Sequence, residues 1–173
     1  MAKIQKTHIN GLWKIELDLI KDSRGFFCEV FRKSLLSETN YEFLPVQWNH
    51  SRSNPNVLRG FHANPWAKLI YPVGEVFIAI ADIDPNSSTY KKVYTCKVSS
   101  YDCCAFFLLP MLANAYYVLG DKPIDYFYLV DKYYTEDGMR RIAWNDPELN
   151  TPWPTKAPEL SNADKNSLPL SKI

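Results

Sequence analysis

The chain has 173 residues, enough for one ordinary domain with its own core and too few for two comfortable ones. Apolar residues make up 46%, aromatics 14% and charged groups 23%, which excludes a disordered chain. Twenty basic side chains stand against 19 acidic ones, and a net charge of +1 excludes a long-range field for nucleic acid or an anionic membrane surface, so any basic site is local.

The N-terminal stretch MAKIQKTHING is polar and lacks the apolar core of a signal peptide; its His8 reads as a solvated or hydrogen-bonded surface residue. No run approaches the roughly 18 apolar residues of a membrane span. A cytoplasmic protein with no nucleic-acid or membrane partner is the expectation. Ser34 to Glu38 has the serine-then-polar chemistry of a short helix start. The stretch VLRGFHANPWAKLI, residues 57–70, sets an arginine, a histidine and a lysine between apolar runs that read as strands. The segment from Glu75 to Ile83 is apolar on both alternating faces. A strand of that kind is covered on each side, which predicts packing against a second subunit and a sheet-mediated homodimer. Val93 to Val98, Cys104 to Leu109, Ala115 to Leu119 and Tyr126 to Val130 read as further strands. Turn formers separate them, at Asp84-Pro85-Asn86-Ser87-Ser88 and Gly120-Asp121-Lys122-Pro123. Short strands at near-regular spacing predict an all-β sandwich or jelly roll. From about residue 147 the prolines at 147, 152, 154, 158 and 169 predict an extended tail over the surface, interrupted by one helix start at Ser161 to Lys165. No repeat or linker divides residues 1–173, which read as a single domain.

Few kinds of chemistry remain. Cys28, Cys96, Cys103 and Cys104 show no C-x-x-C spacing, which predicts free thiols, without a zinc site or a disulfide scaffold. A metal-binding cupin commonly begins its ligand set with His-x-His, but Gly60 and Asn64 flank His62, so no zinc, iron or manganese is expected. There is no G-x-S-x-G elbow and no glycine loop of the G-x-G-x-x-G or Walker type. His50 reads as a structural hydrogen-bonding residue. What is left is a metal-free pocket of arginines, a lysine, a histidine and tyrosines. Arg24 and Arg59 each precede a glycine, a setting suited to bidentate binding of phosphate or carboxylate, with a plain surface arginine the equal alternative. His62 is either functional or a satisfied core histidine.

Several segments, taken in order, resemble the dTDP-4-dehydrorhamnose 3,5-epimerase family of sugar-nucleotide enzymes. They are DSRGFFCE at 22–29, QWNHSRS at 47–53, VLRGFH at 57–62, Ala67-Lys68-Leu69, Gly74-Glu75-Val76, Tyr128 with Tyr134, Trp144-Asn145-Asp146-Pro147, Trp153-Pro154 and Leu160-Ser161 with Asp164. The resemblance spans nearly the whole chain. It implies a cupin-like jelly roll, a homodimer, no cofactor, and a nucleoside-diphosphate 4-keto-6-deoxyhexose epimerised at C3, C5 or both in deoxysugar biosynthesis. By the same resemblance His62 matches the base, Asp164 its partner carboxylate, Lys68 the group that stabilises the enolate oxygen and Tyr128 the acid on the opposite face. Arg24, Glu29, Gln47, Asn49 and Arg59 match nucleotide and diphosphate contacts, and Phe26 offers an aromatic face to stack on the nucleobase, with ordinary core packing its alternative.

There are departures from the family pattern. Asn114 stands where the family commonly has a second histidine, so a hydrogen bond is still available at that position but not a positive charge. Ala163 and Asp84 stand where basic residues are usual, and the link between His62 and Lys68 is short. The short link and Asn114 together match a variant pattern within the family. A sugar-nucleotide 3,4-ketoisomerase and a catalytically silent sugar-nucleotide-binding cupin are the alternatives.

Overall fold

Runs of β-branched and aromatic residues between prolines and glycines form strands, and their period of two decides which faces are covered. The computed structural model describes residues 2–99 and 101–173. Strands β1 (Lys3–Lys6), β2 (Leu12–Glu16), β3 (Leu19–Asp22) and β4 (Gly25–Cys28) precede a 3-10 turn over Lys33–Thr39. Next come β5 (Gln47–Ser53), β6 (Leu58–Ala63), β7 (Lys68–Val73), β8 (Val76–Asp82) and β9 (Val93–Val98). Then β10 (Cys104–Leu108), β11 (Leu112–Val118), β12 (Ile124–Val130) and β13 (Arg140–Ile142) lead to a short helix α1 (Asn162–Lys165) and a 3-10 turn at Leu170–Lys172. A six-stranded sheet in the order β1-β2-β10-β7-β12-β5 faces a five-stranded sheet in the order β13-β6-β11-β8-β9, in the expected all-β, cupin-like jelly roll. Among the described residues no helix is long and apolar enough to cross a membrane.

β8 shows how alternation builds the core. Val76, Ile78 and Ile80 point between the sheets, against Ile70, Phe106, Leu108, Ile124 and Tyr126. Phe77, Ala79 and Ala81 point the other way and are covered by Ile142, Leu149, Leu170 and Trp153. The double apolarity therefore has an internal cause. The C-terminal segment of the same chain lies over the outer face, so a second subunit is not what covers this strand. Part of the outer face of the six-stranded sheet, over β2, β10 and the start of β7, is closed in a similar way, with Leu36 and Phe43 over Trp13, Ile15, Leu69 and Phe107. The β3–β4 hairpin pairs with neither large sheet and leaves Ile20, Phe26 and Phe27 exposed.

β11 begins at Leu112, three positions before the predicted start, which places Asn114 inside a strand. Of the two predicted helix starts only the second has its serine cap: the turn over Lys33–Thr39 begins one residue before Ser34, with Arg32 at its N-cap and no side-chain capping bond. At α1, Ser161 Oγ accepts a hydrogen bond from the Asp164 N–H at 3.1 Å.

Candidate active site

Two adjoining cavities lie between the sheets and share His62, Lys68 and Tyr128. The inner one, about 120 Å³, also takes Ser51, Arg59, Gly60, Ile70, Asn114, Tyr116 and Tyr126 in its wall. The outer one, about 210 Å³, adds Gln47, Asn49, Asn64, Trp66, Tyr134, Met139 and Arg141. Arg59 and His62 are three positions apart, and in a regular strand they would face opposite sides. The β6–β11 register pairs His62 with Asn114 but Arg59 with Tyr116, so β6 carries one extra residue there. That bulge turns both side chains to the same cavity.

His62 and Asp164 are 102 positions apart in sequence and 2.9 Å apart in space, Nε2 to Oδ1. Asp164 is 5% exposed. Burial alone would raise its carboxyl pKa. Hydrogen bonds from His62, Ser161 and the Gly60 backbone, with attraction to the imidazole charge, hold it below the ordinary value. Ser161 Oγ donates to Oδ2 at 2.9 Å, so both carboxylate oxygens are engaged. A carboxylate can only accept, which assigns the proton to Nε2 and leaves the lone pair on Nδ1 of the neutral ring. Gly60 makes the approach possible, because a Cβ there would sit 2.8 Å from Asp164 Oδ1.

On the opposite sheet, Lys68 opens β7 and Tyr128 lies on β12. Lys68 Nζ donates to Asn114 Oδ1 at 2.8 Å, a bond that crosses from one sheet to the other, and lies 5.9 Å from the centre of the Tyr128 ring. Desolvation brings the Lys68 pKa down to about 7. Burial pushes the Tyr128 phenol up, against an opposing pull from Arg59, so it stays protonated at neutral pH. The cavity thus has an imidazole on one wall and, on the other, a phenol with the Lys68 amine near it. That arrangement can take a proton from one face of a bound molecule and deliver one to the other, beside a group able to stabilise an oxyanion.

The remaining predicted residues divide. Gln47 and Asn49 line the outer cavity, joined by a 2.7 Å hydrogen bond from Gln47 Nε2 to Asn49 Oδ1. Arg59 lines the inner one and donates from Nε to Ser53 Oγ at 3.0 Å. Arg24, Phe26 and Glu29 line neither cavity of their own chain. They belong to the hairpin and the residue after it, where Arg24 pairs with Asp22 at 2.6 Å and Glu29 with Arg32 at 2.7 Å, and where Phe26 is 58% exposed. His50 bonds Asp125 at 2.8 Å and stacks on Phe127, and His8 bonds the Val93 carbonyl at 3.3 Å, both away from the cavities. Sequence reasoning missed Trp66, Arg141, Ser51, Tyr116 and Tyr126 as cavity residues. The strand period carried a signal for three of them, setting Tyr126 on the same side as Tyr128 in β12, Ser51 on that of Gln47 and Asn49 in β5, and Tyr116 on that of Asn114 in β11.

The sequence matches the profile of the family described as dTDP-4-dehydrorhamnose 3,5-epimerase over residues 6–172. A dTDP-4-dehydrorhamnose 3,5-epimerase of Methanothermobacter thermautotrophicus is 31% identical over 172 residues, covering 95% of this chain and 92% of that protein. One from Shigella flexneri is 34% identical over 169 residues, with 93% and 92% covered. Among solved structures, the dTDP-6-deoxy-D-glucose-3,5-epimerase of Legionella pneumophila in complex with dTDP-4-keto-L-rhamnose superposes with a TM-score of 0.93 at 31% identity, over 100% of this chain and 95% of that one. NovW, a 4-keto-6-deoxy sugar epimerase of Streptomyces spheroides, superposes at 0.94 and 25% identity, with 99% and 89% covered.

Proposed function

The chain belongs to the dTDP-4-dehydrorhamnose 3,5-epimerase family and is an isomerase of deoxysugar biosynthesis, and from that premise we propose that it inverts C3, C5 or both of a nucleoside-diphosphate 4-keto-6-deoxyhexose by proton transfer through an enolate. One observation carries the reading. His62 on the five-stranded sheet, backed by Asp164 of α1, faces Tyr128 and Lys68 on the six-stranded sheet across one cavity.

A hydrogen on the carbon beside a ketone is weakly acidic, and its removal leaves negative charge on the carbonyl oxygen. His62 Nδ1 takes that proton, and Asp164 stabilises the imidazolium that results. The Lys68 ammonium, held by Asn114, neutralises the enolate oxygen. Tyr128 returns a proton from the opposite sheet, and delivery to the far face is what inverts the centre. Arg59 takes the diphosphate, while Gln47 and Asn49 serve the nucleotide in the outer cavity.

The active species in this proposal is a cytoplasmic homodimer. Four free cysteines support a reducing compartment. Arg24 and Glu29 match nucleotide contacts of the family and Phe26 offers a stacking face, yet all three stand on or just after an exposed hairpin. A second copy gives that hairpin a cavity to serve and a surface to cover, namely the apolar groove of Val30, Phe31, Trp48 and Phe127 on the six-stranded sheet. Incubation with dTDP-, UDP-, GDP- or CDP-linked 4-keto-6-deoxyglucose in deuterated water is expected to wash deuterium into C3 or C5, with inverted product recovered. No exchange on any of the four, or a product with a moved carbonyl, refutes epimerisation.

A further inference from the structure

The inner cavity holds one hydroxyl whose proton the protein itself gives no acceptor. Tyr126 is 3% exposed, lines this cavity, and its O–H finds no acceptor among the described residues. Its neighbour Tyr116 provides the contrast. The two rings stack at 4.3 Å and 18°, yet Tyr116 Oη lies 2.9 Å from Ser53 Oγ and is satisfied. Asn114 hydrogen-bonds the Tyr126 phenol and so eases its deprotonation slightly; because the Asn114 oxygen is engaged by Lys68 at 2.8 Å, that bond runs from the amide N–H to Oη and leaves the phenol's own proton unused. Burial, above all, keeps the Tyr126 phenol protonated, so it is a donor with nothing in the protein to donate to. Buried polar groups without partners are uncommon in native proteins, and one in the wall of a site where a polyhydroxylated ligand is expected points to that ligand.

We propose that Tyr126 is a specificity-determining residue that donates a hydrogen bond to an oxygen of the bound sugar from the floor of the inner cavity. The inference rests on the functional reading above, since the sugar is what it takes as ligand. The bond would select sugars that present an oxygen to the cavity floor over those that present carbon, because an unmatched buried donor penalises the latter. Among the described residues, Tyr126 and its stacked partner thus have different tasks. Tyr116 holds Ser53, which in turn accepts from Arg59 at 3.0 Å, whereas Tyr126 faces the substrate.

Replacing Tyr126 by Phe removes the oxygen and preserves ring, stack and volume. For Tyr126→Phe the melting temperature is expected to stay at the wild-type value or rise, and affinity for dTDP to stay unchanged. Affinity for dTDP-6-deoxyglucose is expected to fall roughly tenfold by calorimetric titration. Tyr116→Phe serves as the control and is expected to lower the melting temperature, because it breaks a bond made within the protein. Equal affinity of wild type and Tyr126→Phe for the sugar nucleotide overturns the inference while leaving the epimerase reading in place. So does a Tyr126→Phe melting temperature lowered as far as that of Tyr116→Phe. Wild-type protein that binds neither dTDP nor dTDP-6-deoxyglucose, nor their UDP, GDP or CDP counterparts, overturns both.

Discussion

Gly60→Ala tests whether His62 works through Asp164, and it does so without touching either residue. Gly60 is buried in β6, and its backbone does not require glycine. The obstacle is the carboxylate. An added Cβ would meet Asp164 Oδ1 at 2.8 Å and Cγ at 3.3 Å. Ordinary contact begins at 3.4 Å, so the carboxylate must retreat by about 0.6 Å. Its bond to His62 Nε2, now 2.9 Å, is then stretched to the edge of hydrogen-bonding range. Overpacking of this kind costs about 1–3 kcal/mol, and each kcal/mol lowers Tm by roughly 2–4 °C in a chain of this size. A misplaced base partner is expected to slow deuterium wash-in at the sugar by about a hundredfold. Nucleotide affinity, measured by titration, is expected to hold, because the change leaves Gln47, Asn49 and Arg59 in place. Wash-in at the wild-type rate in a folded Gly60→Ala protein would refute the positioning role of Asp164.

Further outcomes follow from the same geometry. Asp164→Asn is expected to lower turnover by about 10³–10⁴-fold while leaving sugar-nucleotide affinity nearly intact, measured by single-turnover kinetics. Asp164 also gives a pH dependence. Its carboxyl is held below the ordinary value when folded, so its contribution to stability is present above the unfolded pKa and lost as pH falls through the folded one. Acid titration by circular dichroism should show this loss in wild type and not in Asp164→Asn. Lys68, with a pKa of about 7, must be charged to act, so kcat/KM is expected to decline above that pH. Asn114→Asp sets a carboxylate where Nζ now finds an amide oxygen at 2.8 Å and should move the decline to higher pH. Light scattering is expected to give twice the chain mass of 20.0 kDa, and a monomer mass refutes the proposed dimer. Trp153→Ala should cost about 2–4 kcal/mol in denaturant unfolding, since Trp153 packs on Phe61 and Phe77 and donates to the Trp144 carbonyl at 2.6 Å.

How much the sequence disclosed depended on how each strand is buried. β8, β9, β10 and β12 were legible because their apolar residues alternate or run continuously between turn formers. β5 was not, for QWNHSRS reads as polar, and its residues mostly alternate between half-buried and exposed at a sheet edge. The hairpin strands β3 and β4 are mostly exposed and carry no burial signal at all. The same limit applied to the site. Arg59, His62 and Lys68 drew notice by their polarity, but a bulge rather than strand alternation brings Arg59 and His62 to one cavity. Asp164 could be paired with His62 only through the family resemblance, since a contact across 102 positions leaves no trace in local spacing. Tyr126 passed as an ordinary strand aromatic because an unsatisfied hydroxyl is a property of three-dimensional packing.

The C-terminal segment that lies over β8 is held by the burial of Leu149 and Leu170 and by backbone bonds, among them Leu58 N–H to the Glu159 carbonyl and Ala143 N–H to the Leu168 carbonyl, both 2.9 Å. Asp164 rides on it. A terminal segment can open as a unit at a free energy below that of global unfolding. Turnover therefore serves as a gauge of local opening. On gentle warming, proton exchange into substrate should fail while the two sheets still give their full circular dichroism, so the working temperature range of the enzyme is set by how firmly its last residues hold and not by the strength of its barrel.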